Sequence, residues 1–215
     1  MFIELIDRLR CVHEHALDWL VASTGELHGR DVTRGILGCP TCRAQYPIVR
    51  GIVDFARGSA PAPSTSPMTG TAEEEAMRVA ALLDLSTPGG VVVLTGGWSA
   101  LAPALAVVAD GVQMLAINPV DGVASGDGVS IATAPAGVMP LRPGVARGIA
   151  LDEAHVAAAS QSVEALAASG RLLAPASMPV PAGVTELARD ARLWVAERDA
   201  APVGMTPIVR ARPRG

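Results

Sequence analysis

The hydrophobic pattern after Thr71 alternates between short, wholly apolar runs and segments with helical spacing. The runs "GGVVVLTGG" and "VQMLAINP" each end in turn-forming residues, as buried parallel strands do. "SALAPALAVVADG" between them has the length and composition of a helix. Before them, "AEEEAMRVAALLDL" carries its acids in the first turn, where the helix dipole favours them, so the pattern predicts a helix capped by Thr71.

The same alternation continues toward the carboxyl end. "GVSIATA" predicts a third strand, "VARGIALDEAH" a fourth strand that breaks at Asp152, and "RLLAPASMPV" a fifth. "AASQSVEALAASG" predicts a helix ending in Gly170, "GVTELARDARLWVAERD" a helix and a strand, and "GMTPIVRARP" a last strand. Repeated β-α units of this length indicate an α/β fold with a doubly wound parallel sheet.

A stretch of different composition divides the chain. Residues 57–71, "RGSAPAPSTSPMTGT", are rich in Pro, Ser and Ala and show no apolar periodicity, which is typical of a linker. The sequence therefore predicts a cysteine-bearing β module over residues 1–56 and an α/β domain over residues 72–215.

An uncharged segment at residues 86–109 is long enough to span a bilayer. It contains two Gly-Gly pairs and an internal Pro103, and a β-branched run precedes its Ala/Leu-rich part. This order favours a buried strand, turn and helix over a membrane span.

Charge and composition limit the partners that the chain can have. A net charge of −4 and a pI near 5.5 argue against nucleic-acid binding by the chain itself, and we interpret Arg210, Arg212 and Arg214 as a basic terminus. A mean hydropathy of +0.36 indicates that some apolar surface faces a protein partner or a multi-subunit complex. The three cysteines and the absence of a signal-peptide pattern in the first residues predict a cytoplasmic location.

Cys39 and Cys42 form a Cys-Pro-x-Cys knuckle, which is half of a tetrahedral zinc site. Cys11, in "RCVHEHAL", supplies a third ligand. Its neighbours His15, Glu14 and His13 are candidates for the fourth ligand, in that order, because the Cys-x3-His spacing of His15 suits a zinc knuckle best.

The predicted structural zinc site has four ligands: Cys11, His15, Cys39 and Cys42. His28 lies outside it, in the intervening hairpin. The alternative is that Cys11 is a small buried apolar residue and that the Cys-Pro-Thr-Cys pair is redox-active or empty. A redox pair is expected at the start of a helix, whereas a strand-like pattern follows here, which favours zinc.

The first 56 residues also carry a family resemblance. Cys-x-x-Glu-His-x-x-Leu, a Gly-Cys-Pro-x-Cys motif and Tyr-Pro-Ile-x-x-Gly-Ile-x-Asp-Phe together resemble the small zinc-ribbon activators of methyltransferases, the Trm-type activator subunits. The matching positions are Cys11, Glu14, His15, Cys39, Pro40, Cys42, Tyr46, Pro47, Ile48, Gly51, Ile52, Asp54 and Phe55. The resemblance implies a zinc-stabilised surface that docks on a methyltransferase fold, although that family usually has Cys or Asp as its second ligand.

The remainder is similar in outline to class I methyltransferases, which use S-adenosylmethionine. That resemblance implies three cofactor contacts, and this chain departs from each. In "LTGGWSA", Thr95, Gly97 and Ser99 stand at the three positions of the glycine-rich turn, with Trp98 adding bulk. Asn118 stands at the end of the second strand, where the family has an acid. Thr133 stands after the third strand, where Asp is expected.

These departures predict a non-catalytic binding or assembly subunit, with no catalytic residue and doubtful binding of S-adenosylmethionine. The alternative is a divergent, active methyltransferase whose cofactor is bound by Gly96, Gly97 and Asn118. A third hypothesis is that the ribbon activates a separate methyltransferase.

The segment "LDEAH" has two interpretations. Asp152, Glu153 and His155 there are either a general acid/base cluster or, as we prefer, a strand-end cap and a solvated helix start.

Overall fold

A computed structural model describes residues 1–59 and 69–199, and the strands in these ranges form one eleven-stranded sheet. Most of the predicted linker, the predicted last strand "GMTPIVRARP" and the three arginines of the basic terminus lie outside the described residues.

The amino-terminal part is a short helix followed by an antiparallel meander. Its elements are α1 (Ile3–Ile6), β1 (Val21–His28), β2 (Asp31–Gly38), β3 (Gln45–Val49) and β4 (Ile52–Asp54). Each of these strands pairs with the next in antiparallel fashion. Along β3, buried and exposed residues alternate, so one face of the meander packs inward while the other is open.

The carboxyl-terminal part alternates strands and helices. Its elements are α2 (Ala72–Leu82), β5 (Val91–Thr95), a 3₁₀ turn (Gly96–Leu101) leading into α3 (Ala102–Val108), β6 (Gln113–Ile117), β7 (Val129–Thr133), β8 (Ala146–Ala150), a 3₁₀ turn (Glu153–Ala158) leading into α4 (Ala159–Ala165), β9 (Leu166–Pro175), β10 (Val184–Arg189) and β11 (Leu193–Arg198). The Thr71 hydroxyl accepts a hydrogen bond from Glu74 N–H, and the Glu74 carboxylate accepts one from Thr71 N–H. The predicted cap of α2 is therefore a capping box.

The strand order is β1-β2-β3-β4-β7-β6-β5-β8-β9-β11-β10. When the seven strands of the α/β part, β5 to β11, are numbered from 1 to 7, their order in the sheet is 3-2-1-4-5-7-6. The first five of these strands are parallel, and β11 is antiparallel to β9. The predicted α/β fold with a doubly wound parallel sheet is confirmed. Its order reverses between β5 and β8, and the carboxyl ends of strands at such a switch point are where α/β sheets bind ligands.

The two predicted parts share this sheet. β4 pairs in parallel with β7, with Ile52 opposite Ile131 and Asp54 opposite Thr133. The N–H of Phe55 donates to the Thr133 carbonyl at 2.8 Å and extends this pairing. One sheet therefore contains strands from both sides of residues 57–71. The division of the chain into two modules at these residues stays a prediction from composition.

The two faces of the sheet are covered by different segments. On one face, α2 and α3 pack on Val92 and Leu94 of β5. On the other face, Val91 and Val93 belong to a cluster that includes Leu9 and other residues of the amino-terminal part.

The segment that precedes the meander is hydrogen-bonded to the loop before β8. Arg10 N–H donates to the Pro140 carbonyl at 3.1 Å, and Arg142 N–H donates to the Arg8 carbonyl at 2.8 Å. The amino-terminal segment thus packs on a face of the sheet where doubly wound folds commonly place helices.

Two secondary-structure predictions are wrong. In "GVTELARDARLWVAERD", the predicted strand is present as β11, but the predicted helix is wrong, since its residues form β10. The segment is a hairpin because the Asp190 carboxylate accepts the N–H groups of Arg192 and Leu193 in a turn and residues 193–196 are buried against β9. Pairing and burial override the helical composition of this segment. The helix predicted to end at Gly170 ends at Ala165, where β9 begins.

Residues 86–109 form the loop before β5, then β5, the 3₁₀ turn and α3, as predicted. Among the described residues, no helix has both the length and the apolar character that crossing a bilayer requires.

Candidate functional site

The four predicted metal ligands lie together. Cys11 and His15 belong to the irregular segment between α1 and β1, and Cys39 and Cys42 belong to the turn between β2 and β3. Their ligand atoms all lie within 4.8 Å of one another. Cys11 and Cys39 are buried and Cys42 is exposed. This group of three thiols and one imidazole could hold a metal such as zinc.

Two of the distances in the group are close to those of a tetrahedral metal site. With Zn–S bonds of about 2.3 Å and a Zn–N bond of about 2.0 Å, two sulfurs lie about 3.8 Å apart, and a sulfur and a nitrogen about 3.5 Å apart. The Cys11 and Cys42 sulfurs are 3.6 Å apart, and His15 Nε2 is 3.3 Å from the Cys39 sulfur. Soft thiolate ligands with one imidazole favour zinc over magnesium or calcium.

Backbone hydrogen bonds shape the turn that carries two of the ligands. The Cys39 N–H donates to the Ala44 carbonyl at 2.8 Å, and the Arg43 N–H donates to the Cys39 carbonyl at 2.9 Å. Arg43 has a φ of 62°, the left-handed conformation that closes such a turn. The Thr41 hydroxyl then donates to the Leu17 carbonyl at 2.8 Å, which holds the turn against the segment bearing Cys11 and His15.

The buried thiols differ in acidity. Burial raises the pKa of Cys11 to about 11. Burial also acts to raise the pKa of Cys39, but hydrogen bonds from the backbone of Cys42 and Thr41 outweigh it and lower that pKa to about 7. Thiolates are the metal-binding form of cysteine. The lower pKa of Cys39 favours its thiolate, whereas the Cys11 thiol would lose its proton only under the influence of the metal's charge.

Of the other candidate ligands, His13 and Glu14 lie beside the group, and His28 lies in β1. His13 Nδ1 is 3.4 Å from the Cys42 sulfur, yet His13 is not one of the four residues of the group. Glu14 lines a cavity of about 320 Å³ beside the group, together with His13 and His15. His28 ends β1 and is exposed, as expected for a residue outside the site.

A second polar cluster lies at the carboxyl ends of the parallel strands, at the switch point between β5 and β8. The Asp152 carboxylate accepts hydrogen bonds from Gly97 N–H and from the Thr95 hydroxyl, both at 3.3 Å. The Thr95 oxygen in turn accepts the Asp152 N–H at 2.9 Å. Asp152 is 3% exposed, so a buried carboxylate connects the turn after β5 to the end of β8.

An imidazole and an amide continue this cluster. His155 Nδ1 hydrogen-bonds to the Asp152 carboxylate, and Asn118 Nδ2 lies 2.8 Å from His155 Nε2. Asn118 also donates to the Ala134 carbonyl and accepts the Ala134 N–H, both at 2.8 Å, which fixes its amide orientation. His155 Nε2 therefore accepts from Asn118 while Nδ1 donates to Asp152, the arrangement of a neutral imidazole.

The remaining positions of the implied cofactor site are also bonded within the chain. The Thr133 hydroxyl donates to the Asp54 carboxylate at 2.7 Å, across the seam between β7 and β4. The Ser99 hydroxyl donates to the Gly96 carbonyl and accepts the Val120 N–H. Trp98 is fully buried among α2, α3 and the sheet, where its Nε1 donates to the Leu151 carbonyl. Its side chain is therefore part of the packed core.

The sequence suggested Asp152 and His155 as one possible cluster, but it did not predict their burial or their contact with Asn118. Of the "LDEAH" residues, Glu153 is exposed at a helix start, whereas Asp152 and His155 are buried. The expected solvated helix start is therefore wrong for His155. One signal was present: an acid directly after a buried parallel strand, with a histidine three residues later, can meet the turn after the neighbouring strand at the same edge of the sheet.

No family model and no curated protein matches this chain. Solved structures do show similarities. The antibiotic-resistance methyltransferase Kmr aligns with 62% of this chain and 95% of its own, at 14% identity and a TM-score of 0.43. The pyocyanin biosynthetic protein PhzM aligns over 58% and 54%, at 18% identity and a TM-score of 0.44. The N-methyltransferase NodS from Bradyrhizobium japonicum aligns over 59% and 87%, at 13% identity and a TM-score of 0.43.

These similarities concern the outline of the fold, and the chain spans about half the length of PhzM. By its strand order and strand directions, the described part of the chain is a mixed α/β sheet with a parallel core, like the Rossmann fold of methyltransferases.

We expect His15→Ala to weaken zinc binding about a hundredfold, because the loss of one of four ligands removes a corresponding share of the binding free energy. Zinc content after dialysis against a chelator is the measurement. His28→Ala, which alters an exposed histidine of β1, is the matched control and should keep its zinc. Unchanged zinc in His15→Ala would move the fourth ligand to Glu14 or His13.

Asp152→Ala should lower the free energy of unfolding by about 3 kcal/mol, because it removes the buried carboxylate that accepts hydrogen bonds from Gly97, Thr95 and His155. Urea unfolding measures the change. Glu153→Ala, at the exposed neighbouring position, should stay within about 0.5 kcal/mol of the parent chain. Equal effects of the two variants would show that the buried cluster does not stabilise the fold.

Proposed function

We propose that this protein is a non-catalytic binding or assembly subunit, in which a zinc-stabilised meander and a methyltransferase-like domain form one binding surface. The methyltransferase-like fold is the scaffold. The non-catalytic role is inferred because the polar groups at the place where such a fold holds its cofactor are hydrogen-bonded to one another.

The observation that carries the proposal is that the switch point is filled by the chain's own hydrogen bonds. A cofactor bound there would need polar groups at the turn after β5 and at the ends of β6 and β7. The Gly97 N–H instead donates to Asp152, the Asn118 amide to Ala134 and His155, and the Thr133 hydroxyl to Asp54. Asp152, Asn118 and His155 are each at most 5% exposed, so a cofactor would have to break buried hydrogen bonds to bind.

Exposed apolar residues of the meander support a role in binding another protein. All of β1 is exposed, and β1 is the last strand on its side of the sheet among the described residues. The exposed large apolar residues of this region are Leu17, Trp19, Val21, Leu27, Ile36 and Val49. Contact with a protein partner would remove apolar side chains of this kind from water. The proposed partner is therefore a protein.

The alternative is a divergent methyltransferase, and one observation favours it. Gly96 has a φ of 47° directly after β5, so the turn begins with a glycine in the left-handed region, next to Gly97, the one glycine kept at the three positions of the family's turn. Binding by Gly96, Gly97 and Asn118 would then require the Asp152 cluster to rearrange.

Calorimetric titration with S-adenosylmethionine separates the two. We expect no binding at micromolar affinity, because the internal hydrogen bonds of the buried cluster compete with the ligand. A class I methyltransferase with an intact glycine-rich turn serves as the positive control. Micromolar binding with a stoichiometry near one would contradict the non-catalytic proposal and favour the alternative.

The assembly role predicts that the tagged full chain, expressed in its native host, co-purifies with a stoichiometric protein partner. Trp19→Ala should reduce the recovered partner severalfold, because aromatic residues dominate binding at interfaces. Val107→Ala is the control, since Val107 is 83% exposed and belongs to α3, which is not part of the meander. Recovery of the parent chain alone, as a monomer, would speak against an assembly role.

A further inference from the structure

Two imidazoles flank the three sulfurs of the metal group. His15 Nε2 faces the Cys39 sulfur at 3.3 Å and belongs to the set of four ligands. On another side, His13 Nδ1 lies 3.4 Å from the Cys42 sulfur and 3.9 Å from the Cys11 sulfur. His13 therefore stands outside the ligand set, beside the edge that joins Cys11 and Cys42.

We propose that His13 is a positioning residue that donates its Nδ1–H to the sulfur of Cys42, the exposed cysteine of the metal group, and thereby stabilises that sulfur as a metal ligand. The inference rests on the metal group alone. It is independent of whether the methyltransferase-like domain binds a cofactor.

The other two sulfurs already have donors. The Tyr46 hydroxyl lies 3.1 Å from the Cys11 sulfur. Backbone hydrogen bonds from Thr41 and Cys42 reach the Cys39 sulfur. His13 completes the pattern, so that each of the three sulfurs has a hydrogen-bond donor outside the ligand set.

Cys42 is the ligand that most needs such support. It is the exposed cysteine of the three, so its sulfur meets water and dissolved reagents, whereas Cys11 and Cys39 are buried. A hydrogen bond to a thiolate withdraws charge from the sulfur, lowering its reactivity and fixing its position. Outer partners of metal ligands commonly contribute about 10- to 100-fold to metal affinity.

A role as fourth ligand makes a different prediction. The ligand atoms of Cys11, His15, Cys39 and Cys42 lie within 4.8 Å of one another without His13, so four donors are present in its absence. A supporting donor weakens metal binding when it is removed but leaves the stoichiometry unchanged, whereas loss of a ligand removes a coordination position.

The experiment uses the full chain loaded with zinc and three variants: His13→Ala, His13→Gln and the control His28→Ala. Competition with a chromophoric zinc chelator measures the dissociation constant, and metal analysis of the loaded protein measures the stoichiometry. Mass spectrometry follows the rate at which iodoacetamide alkylates Cys42.

We expect His13→Ala to keep one zinc per chain, with about tenfold weaker affinity and severalfold faster alkylation of Cys42. His13→Gln should recover part of both losses, because its side-chain amide can donate a hydrogen bond to the sulfur. His28→Ala should behave like the parent chain.

Three results would overturn the proposal. Loss of stoichiometric zinc in His13→Ala would make His13 a ligand. Affinity and alkylation equal to those of the parent chain would leave it with no role at the sulfur. A parent chain that binds no zinc would remove the metal on which the argument depends.

Discussion

The parallel pairing of β4 with β7 is the contact on which the arrangement of this molecule depends. It is short, with three residue pairs from Ile52↔Ile131 to Asp54↔Thr133. A strand added in register continues the right-handed twist of the sheet, so the meander extends the same surface instead of forming a separate body. The Thr133–Asp54 hydrogen bond lies at the end of this pairing and ties a residue of the implied cofactor site to the meander.

The Asp152 carboxylate plays a corresponding role at the switch point. An isolated buried carboxylate costs several kcal/mol, and hydrogen bonds from charged or polar partners are needed to offset that cost. Gly97, Thr95 and His155 supply them here. Because the donors come from β5 and its turn while the acceptor follows β8, the cluster joins two neighbouring strands at the place where a doubly wound sheet usually opens to a ligand.

The sequence was informative wherever local chemistry decides the structure. Cys39 and Cys42 are close because two intervening residues make a tight turn, and Thr71 caps α2 through its own hydroxyl and Glu74. Apolar runs predicted β5 to β9 because strands buried on both faces exclude polar residues. The hairpin β10–β11 was not predicted, since its strands depend on burial against β9, which local composition does not express. In the Asp152–His155–Asn118 cluster, Asn118 follows β6 and the other two residues follow β8, so only the sheet order brings Asn118 to them.

The metal group and the sheet are coupled through Cys11. The two residues before it are held to the loop that precedes β8. Arg10 N–H donates to the Pro140 carbonyl, and Leu9 forms an isolated β-bridge with Leu141. The partners of Cys11 in the group, Cys39 and Cys42, lie in the turn between β2 and β3. A metal held by all three would therefore join the segment that covers one face of the methyltransferase-like sheet to the meander that extends its edge. Loss of the metal should then loosen the covering segment as well as the turn, because the buried Leu9 and Cys11 are only two residues apart in one hydrophobic cluster.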